Sequence, residues 1–95
     1  MRAELDLTLR ACVARLADEA RRAAAQAPLG SAAHDFYAGV RSAAERQLHP
    51  GLAAVDDVAW LDREPRAFRD GYLAASALIA TASPDPPMHL PLPAF

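Results

Sequence analysis

The stretch AELDLTLRACVARLADEARRAAAQA, residues 3–27, decides the fold. Its apolar side chains recur at intervals of three, four and seven residues, so at 100° per residue they share one face of a helix. Charged residues fill the opposite face. Pro28 ends the pattern, because proline interrupts the helical hydrogen-bond ladder. The apolar face predicted for this first helix consists of Leu5, Leu9, Cys12, Val13, Leu16, Ala20, Ala23, Ala24 and Ala27.

A second helix is predicted between Ser31 and the Pro50-Gly51 pair. Ser31 suits the N-cap position, because its hydroxyl accepts a hydrogen bond from a backbone N–H that has no helical partner. Proline and glycine at the far end stop the helix and permit a turn. The inner face is predicted to hold Ala33, Phe36, Tyr37, Val40, Ala43, Ala44 and Leu48, and the polar face His34, Arg41, Glu45 and His49.

A third helix is predicted to start at Asp62 or Glu64, with Pro65 in its first turn, where the missing N–H costs nothing. Glycine weakens a helix by up to ~1 kcal/mol relative to alanine, so we expect Gly71 to mark a close helix crossing. The preceding residues 52–62 allow a short helical turn, which we favour, or an extended segment. The inner face of the third helix is predicted to hold Ala67, Phe68, Tyr72, Ala75, Leu78, Ile79 and Ala82.

The composition favours an all-α fold. Ala and Leu, the strongest helix formers, number 24 and 12, against four Val and one Ile. A chain of 95 residues holds one domain. We predict a single helical domain over residues 1–82, a small bundle of three long helices with or without a short fourth. A proline-rich extended tail follows over residues 83–95, where five of the eight prolines exclude helix and favour polyproline II.

Composition also excludes several classes of protein. A hydrophobic fraction of 53% argues against disorder, and a net charge of −2 gives no attraction to nucleic acid. No apolar run approaches the ~18 residues of a membrane span, and no signal peptide is visible. The single Cys12 excludes an internal disulfide and a cysteine-clustered zinc site. We expect a soluble cytoplasmic protein. The chain has ten Arg and no Lys, a bias that a GC-rich genome explains.

Catalytic motifs are missing from the sequence. The four glycines are scattered singly, so no phosphate-binding loop exists, and no serine has the flanking glycines of a nucleophile elbow. Cys12 lies on an apolar helix face, where a thiol is inert. Glu45 and His49 have a spacing that could share a metal ion, but no matching pair lies on another helix, so a solvated face is the better interpretation. We expect no catalytic residue, metal or cofactor.

One segment carries a charge bias beside an aromatic residue. Residues 51–62 have a net charge of −3 and no Arg, from Asp56, Asp57 and Asp62, and Trp60 lies among them. A surface turn with Trp60 covering the core is one interpretation. The functional interpretation is an acidic patch with an aromatic anchor that faces an Arg-rich surface of a protein partner.

The tail offers a second set of candidate partner-binding residues, Met88, Leu90, Leu92 and Phe95. Either the tail is disordered or lies across its own bundle, or it docks in a groove of another chain. On these grounds we expect a non-enzymatic interaction factor: an adaptor, an assembly factor or a small inhibitor of a larger complex, of a size that a mobile element could carry. It would act by steric occlusion or bridging.

Two alternatives concern oligomers. A helix over residues 3–27 would span about 37 Å, against about 25–28 Å for the other two. Either the short central segment and the tail cover this overhang, or a second subunit does in a homodimer through the first helix, which we favour. The competing functional hypothesis is a small helical homodimeric enzyme or ligand-binding protein with an Arg-lined anion pocket. Its residues would be Arg41, Arg46 and His49.

Overall fold

The computed structural model describes residues 7–49, 59–81 and 90–91. Over these ranges the chain forms helices and no strand, which confirms the prediction of a small all-α, three-helix bundle. The helices are α1 (Leu7–Gln26), α2 (Ala32–Leu48) and α3 (Arg66–Thr81), with a 3₁₀ helix at Ala59–Arg63 before α3. Three predicted parts lie outside the described residues: the start of the first helix, residues 50–58 and most of the tail.

The α1–α2 turn follows the prediction from sequence. Ser31 is the N-cap of α2 in an extended conformation, and its Oγ accepts from the His34 backbone N–H at 3.1 Å. The same hydroxyl donates to the Pro28 carbonyl oxygen at 2.7 Å. Gly30 has a φ of +81°, which an L side chain rarely adopts. These features fix a short turn that reverses the chain.

The start of α3 differs from the prediction. Residues 59–63 form a separate 3₁₀ helix, closed by a 3.1 Å hydrogen bond from the Glu64 N–H to the Leu61 carbonyl oxygen. The helix α3 begins at Arg66, directly after Pro65, whose carbonyl oxygen accepts from the Arg69 N–H at 3.0 Å. Asp62 therefore belongs to the short helix rather than to α3.

The central helix is α2. Both α1 and α3 pack against it, and contact between α1 and α3 is sparse. Gly71 lies at the α2–α3 crossing, as predicted, and Gly39 of α2 lies there with it. Ala17 is buried on α1 in addition to the positions that periodicity identified. The hydrophobic core consists of Val13, Leu16, Ala17, Ala20, Phe36, Val40, Ala43, Ala44, Leu61, Tyr72, Ala75 and Ile79.

Candidate functional site

Trp60 lies on the 3₁₀ helix and packs on the first half of α3. Its ring meets the ring of Tyr72 edge to face, with centroids 5.5 Å apart at 90°, and that of Phe68 at 6.2 Å and 72°. Edge-to-face pairs of this kind add about 0.5–1.5 kcal/mol to the burial of the rings. Trp60 is half-buried and packs against the core, so it covers the core and keeps part of its surface in solvent.

The guanidinium group of Arg46 lies over the Trp60 ring, 5.6 Å from the ring centroid. This is the geometry of a cation–π contact, worth about 0.5–1 kcal/mol at an exposed site and more where water is excluded. Arg46 stands in the last turn of α2, where a positive charge also complements the helix dipole. The contact therefore connects the end of α2 to the 3₁₀ helix.

The residues that follow Trp60 on the 3₁₀ helix divide between the core and the solvent. Leu61, the next residue, is buried in the core, and Asp62 and Arg63 are exposed beyond it. The site thus combines a half-buried tryptophan, an arginine on its face and an exposed carboxylate two residues further along. Asp62 is the one predicted acidic residue that the structure describes, since Asp56 and Asp57 fall outside the described residues.

The tail residues are described only at Leu90 and Pro91, both half-buried. Leu90 packs against the hydrophobic core. Met88, Leu92 and Phe95 lie outside the described residues.

The residues of the alternative anion pocket have different partners. Arg41 pairs with Glu45, with Nε and Oε2 2.9 Å apart. The guanidinium of Arg46 lies instead on Trp60. His49 is the exposed C-cap of α2, and its backbone N–H donates to the Glu45 carbonyl oxygen at 3.1 Å. A bound anion at Arg41 would have to compete with the Glu45 carboxylate.

Two hydrogen bonds that the sequence did not indicate connect α1 and α2 at their ends. Arg10 donates through Nη2 to the Leu48 carbonyl oxygen at 2.8 Å. His34 lies with its Nδ1 2.9 Å from the Ala24 carbonyl oxygen, which also accepts from the Ala27 N–H at 3.2 Å. In both cases a basic side chain from the first turns of one helix reaches a carbonyl oxygen in the last turn of the other. The two helices are therefore antiparallel.

The position of His34 corrects one prediction. Periodicity placed it on the polar face of the second helix with Arg41 and Glu45, but its ring is half-buried beside the end of α1. The reason is its place in the first turn of α2, which the Ser31 turn folds back over α1. Hydrophobic periodicity predicts which face of a helix is buried, but it does not predict contacts with the end of a neighbouring helix.

The outer face of α1 carries a charge cluster around Asp18. Arg21 donates to this carboxylate at 2.8 Å, and Arg22 approaches it at 2.9 Å. The hydrogen bond from Arg21 is the main reason that the pKa of Asp18 lies below that of an ordinary aspartate. Desolvation opposes this shift, and the positive charges of Arg22 and Arg21 lower the pKa further.

Within the ranges described, no three His, Cys, Asp or Glu side chains gather closely enough to hold a metal ion. None of the helices in that part of the chain has the length and apolar character needed to cross a membrane. A scan against models of known protein families, a search of curated proteins and a search of solved structures each found no match.

Proposed function

We propose that this protein is a non-enzymatic interaction factor that binds another protein through the surface around Trp60. The observation that carries the proposal is the half-buried Trp60 ring, which contacts both the Tyr72 ring and the guanidinium of Arg46. Tryptophan, tyrosine and arginine are the residues that most often dominate the free energy of protein interfaces. A ring already held by such contacts loses little conformational freedom when a partner covers it.

The charge of this surface defines the chemistry of the partner. Asp62 is exposed next to Trp60, and Asp56 and Asp57 precede it in a segment that has no arginine. Carboxylates at the rim of an interface steer oppositely charged partners and fix their orientation. We therefore expect a partner surface with arginine or lysine side chains around an apolar depression that accepts Trp60.

The protein would act as an adaptor, an assembly factor or a small inhibitor, by bridging two partners or by covering a site on one. The tail residues Met88, Leu90, Leu92 and Phe95 are the second proposed anchor. A homodimer through α1 is the proposed form in solution. The described part of α1 is only three residues longer than α2, so the overhang that motivates the dimer depends on the residues before Leu7.

A quantitative capture experiment tests the Trp60 surface. The full-length wild-type protein, Asp62→Arg, Trp60→Ala and the control Leu7→Ala serve as baits in native lysate, and mass spectrometry compares the proteins retained. Leu7 is 85% exposed, which makes it a matched apolar control. We expect at least one protein that wild type and Leu7→Ala retain equally and that Asp62→Arg and Trp60→Ala lose by tenfold or more.

Circular dichroism of each bait separates loss of binding from loss of folding. Asp62 is exposed, so Asp62→Arg should keep the helical signal unchanged and reverses only the charge. If every protein captured by wild type is retained equally by folded Asp62→Arg and folded Trp60→Ala, the Trp60 surface is not the binding site and the proposal is wrong.

A further inference from the structure

The second half of α3 has an apolar outer face. Residues 72–81 contain no charged side chain. The positions that point away from α2 are Leu73, Ala77 and Ala80, which are exposed and spaced so that they form one strip. Leu73 keeps 57% of its surface in solvent. A surface helix normally presents polar residues on this side, so the strip has the character of a covered surface.

The chain that leaves α3 has matching chemistry. Residues 82–95 follow Thr81 directly and contain one charged residue, Asp85, with five prolines and four large apolar side chains. Prolines have no N–H, so such a segment can lie on an apolar surface while burying few unpaired donors. Proline also limits the freedom of the unbound segment, which lowers the entropic cost of docking.

Leu90 shows that this segment returns to the bundle. It is half-buried and packs against the core, nine residues after α3 ends at Thr81. Nine extended residues reach at most about 30 Å, and a helix of 16 residues such as α3 is about 24 Å long. The segment is therefore long enough to reverse direction and run back beside α3.

We propose that the C-terminal segment of this chain covers the strip formed by Leu73, Ala77 and Ala80. Leu90 is the inner anchor, and Leu92 and Phe95 lie on the strip. The occupant is the segment of the same chain, because a short tether gives it an effective concentration in the millimolar range without a second molecule. The proposal is independent of the Trp60 surface. It has one consequence for the tail as a proposed anchor: a partner that binds residues 88–95 must first displace them from α3.

Nuclear Overhauser effects in the full-length protein test this directly. We expect cross-peaks from the Leu73 methyl groups to the Phe95 ring and to Leu92, with the Leu73 signals identified by their loss in Leu73→Ala. A sample that mixes labelled and unlabelled copies separates contacts within one chain from contacts between copies. Cross-peaks that occur only between copies, or none from Leu73 to residues 92–95, would overturn the proposal.

A matched pair of substitutions gives an independent measurement. Leu73→Asp places a charge in the strip, and Leu7→Asp places the same charge at an exposed leucine of α1. We expect backbone {¹H}–¹⁵N NOE values for residues 92–95 that match those of the helices in wild type and Leu7→Asp. In Leu73→Asp they should fall to the values of a free chain end, with unchanged helical circular dichroism. Equal values for the two variants would contradict the assignment of Leu73 as the docking position.

Discussion

Gly39 of α2 and Gly71 of α3 each face the backbone of the other helix. A Cβ atom on Gly39 would overlap the carbonyl oxygen of Phe68, and one on Gly71 would overlap the carbonyl oxygen of Phe36. Each glycine stands three residues after its own phenylalanine, so the relationship is reciprocal and the helices run in opposite directions. Carbonyl oxygens directed at glycine Cα–H groups form the weak hydrogen bonds that are typical of close helix pairs.

The first prediction concerns this crossing. Gly39→Ala and Gly71→Ala should each lower the free energy of unfolding by about 2 kcal/mol, since a methyl group that must displace backbone atoms costs ~3 kcal/mol or more, the upper end of the range for overpacking. This outweighs the ~1 kcal/mol that alanine gains in helix propensity. The double variant should lose less than the sum, because one separation of the helices relieves both overlaps. Urea unfolding followed by circular dichroism measures all three.

Gly30→Ala is the control for the crossing. A Cβ on Gly30 would meet no atom within 4 Å, so only its φ of +81° opposes the substitution. We expect a loss of about 1–2 kcal/mol from backbone strain alone. Variants of Gly39 and Gly71 with wild-type stability would show that the helices are further apart than described.

A second prediction concerns the hydrogen bonds at the ends of the α1–α2 pair. Arg10→Ala and His34→Ala should each cost about 1–1.5 kcal/mol, because each removes a hydrogen bond that connects the ends of α1 and α2. Arg15→Ala is the control, since Arg15 makes only a surface ion pair with Glu19 at 3.6 Å, and such pairs contribute about 0–1 kcal/mol. Equal losses in all three variants would remove any special role for the two interhelical bonds.

A third prediction concerns the stacking of Arg46 on Trp60. A double-mutant cycle with Arg46→Met and Trp60→Leu should give a coupling free energy of about 0.5–1 kcal/mol, the value of a cation–π contact that is partly exposed. The same cycle with Arg41→Met in place of Arg46→Met should give none, because Arg41 is paired with Glu45. Thermal or urea unfolding of the variants supplies the four stabilities that each cycle needs.

A fourth prediction follows from Arg69. Its Nε atom is buried and has no hydrogen-bond partner within the described part of the chain. Arg69→Met keeps the apolar stem and removes this group. The free energy of unfolding from urea titration should therefore stay the same or rise by up to about 1 kcal/mol. The control Arg66→Met changes an exposed arginine of the same helix and should have no effect. A loss of more than 1 kcal/mol in Arg69→Met alone would reveal a partner for Arg69.

Local chemistry made much of the fold predictable. The Ser31 cap and the Gly71 crossing depend on residues whose backbone behaviour is nearly independent of context, and the structure confirms both. Gly39 was missed, because its role is defined by the Phe68 carbonyl oxygen on another helix. The same reason applies to His34, whose partner is the Ala24 carbonyl oxygen of α1.

The candidate site was predictable in part. Trp60 stood out in the sequence as the single tryptophan beside acidic residues, but the sequence did not indicate which side chains contact its ring. Arg46 was singled out for a different site, an anion pocket, because spacing along α2 says nothing about the 3₁₀ helix packed against its end. Contacts between elements far apart in sequence depend on helix packing, which periodicity does not determine.

The last prediction separates the interaction factor from the competing anion-binding protein. A ligand at one hundred times its dissociation constant stabilises the folded state by about 2.7 kcal/mol, which raises the melting temperature of a domain of this size by more than 10 °C. Arg41 is already paired with the Glu45 carboxylate at 2.9 Å. We therefore expect millimolar phosphate, sulfate and small carboxylates to change the melting temperatures of wild type and Arg41→Met by equal amounts. A shift in wild type that Arg41→Met or His49→Ala abolishes would establish an anion site and favour the competing hypothesis.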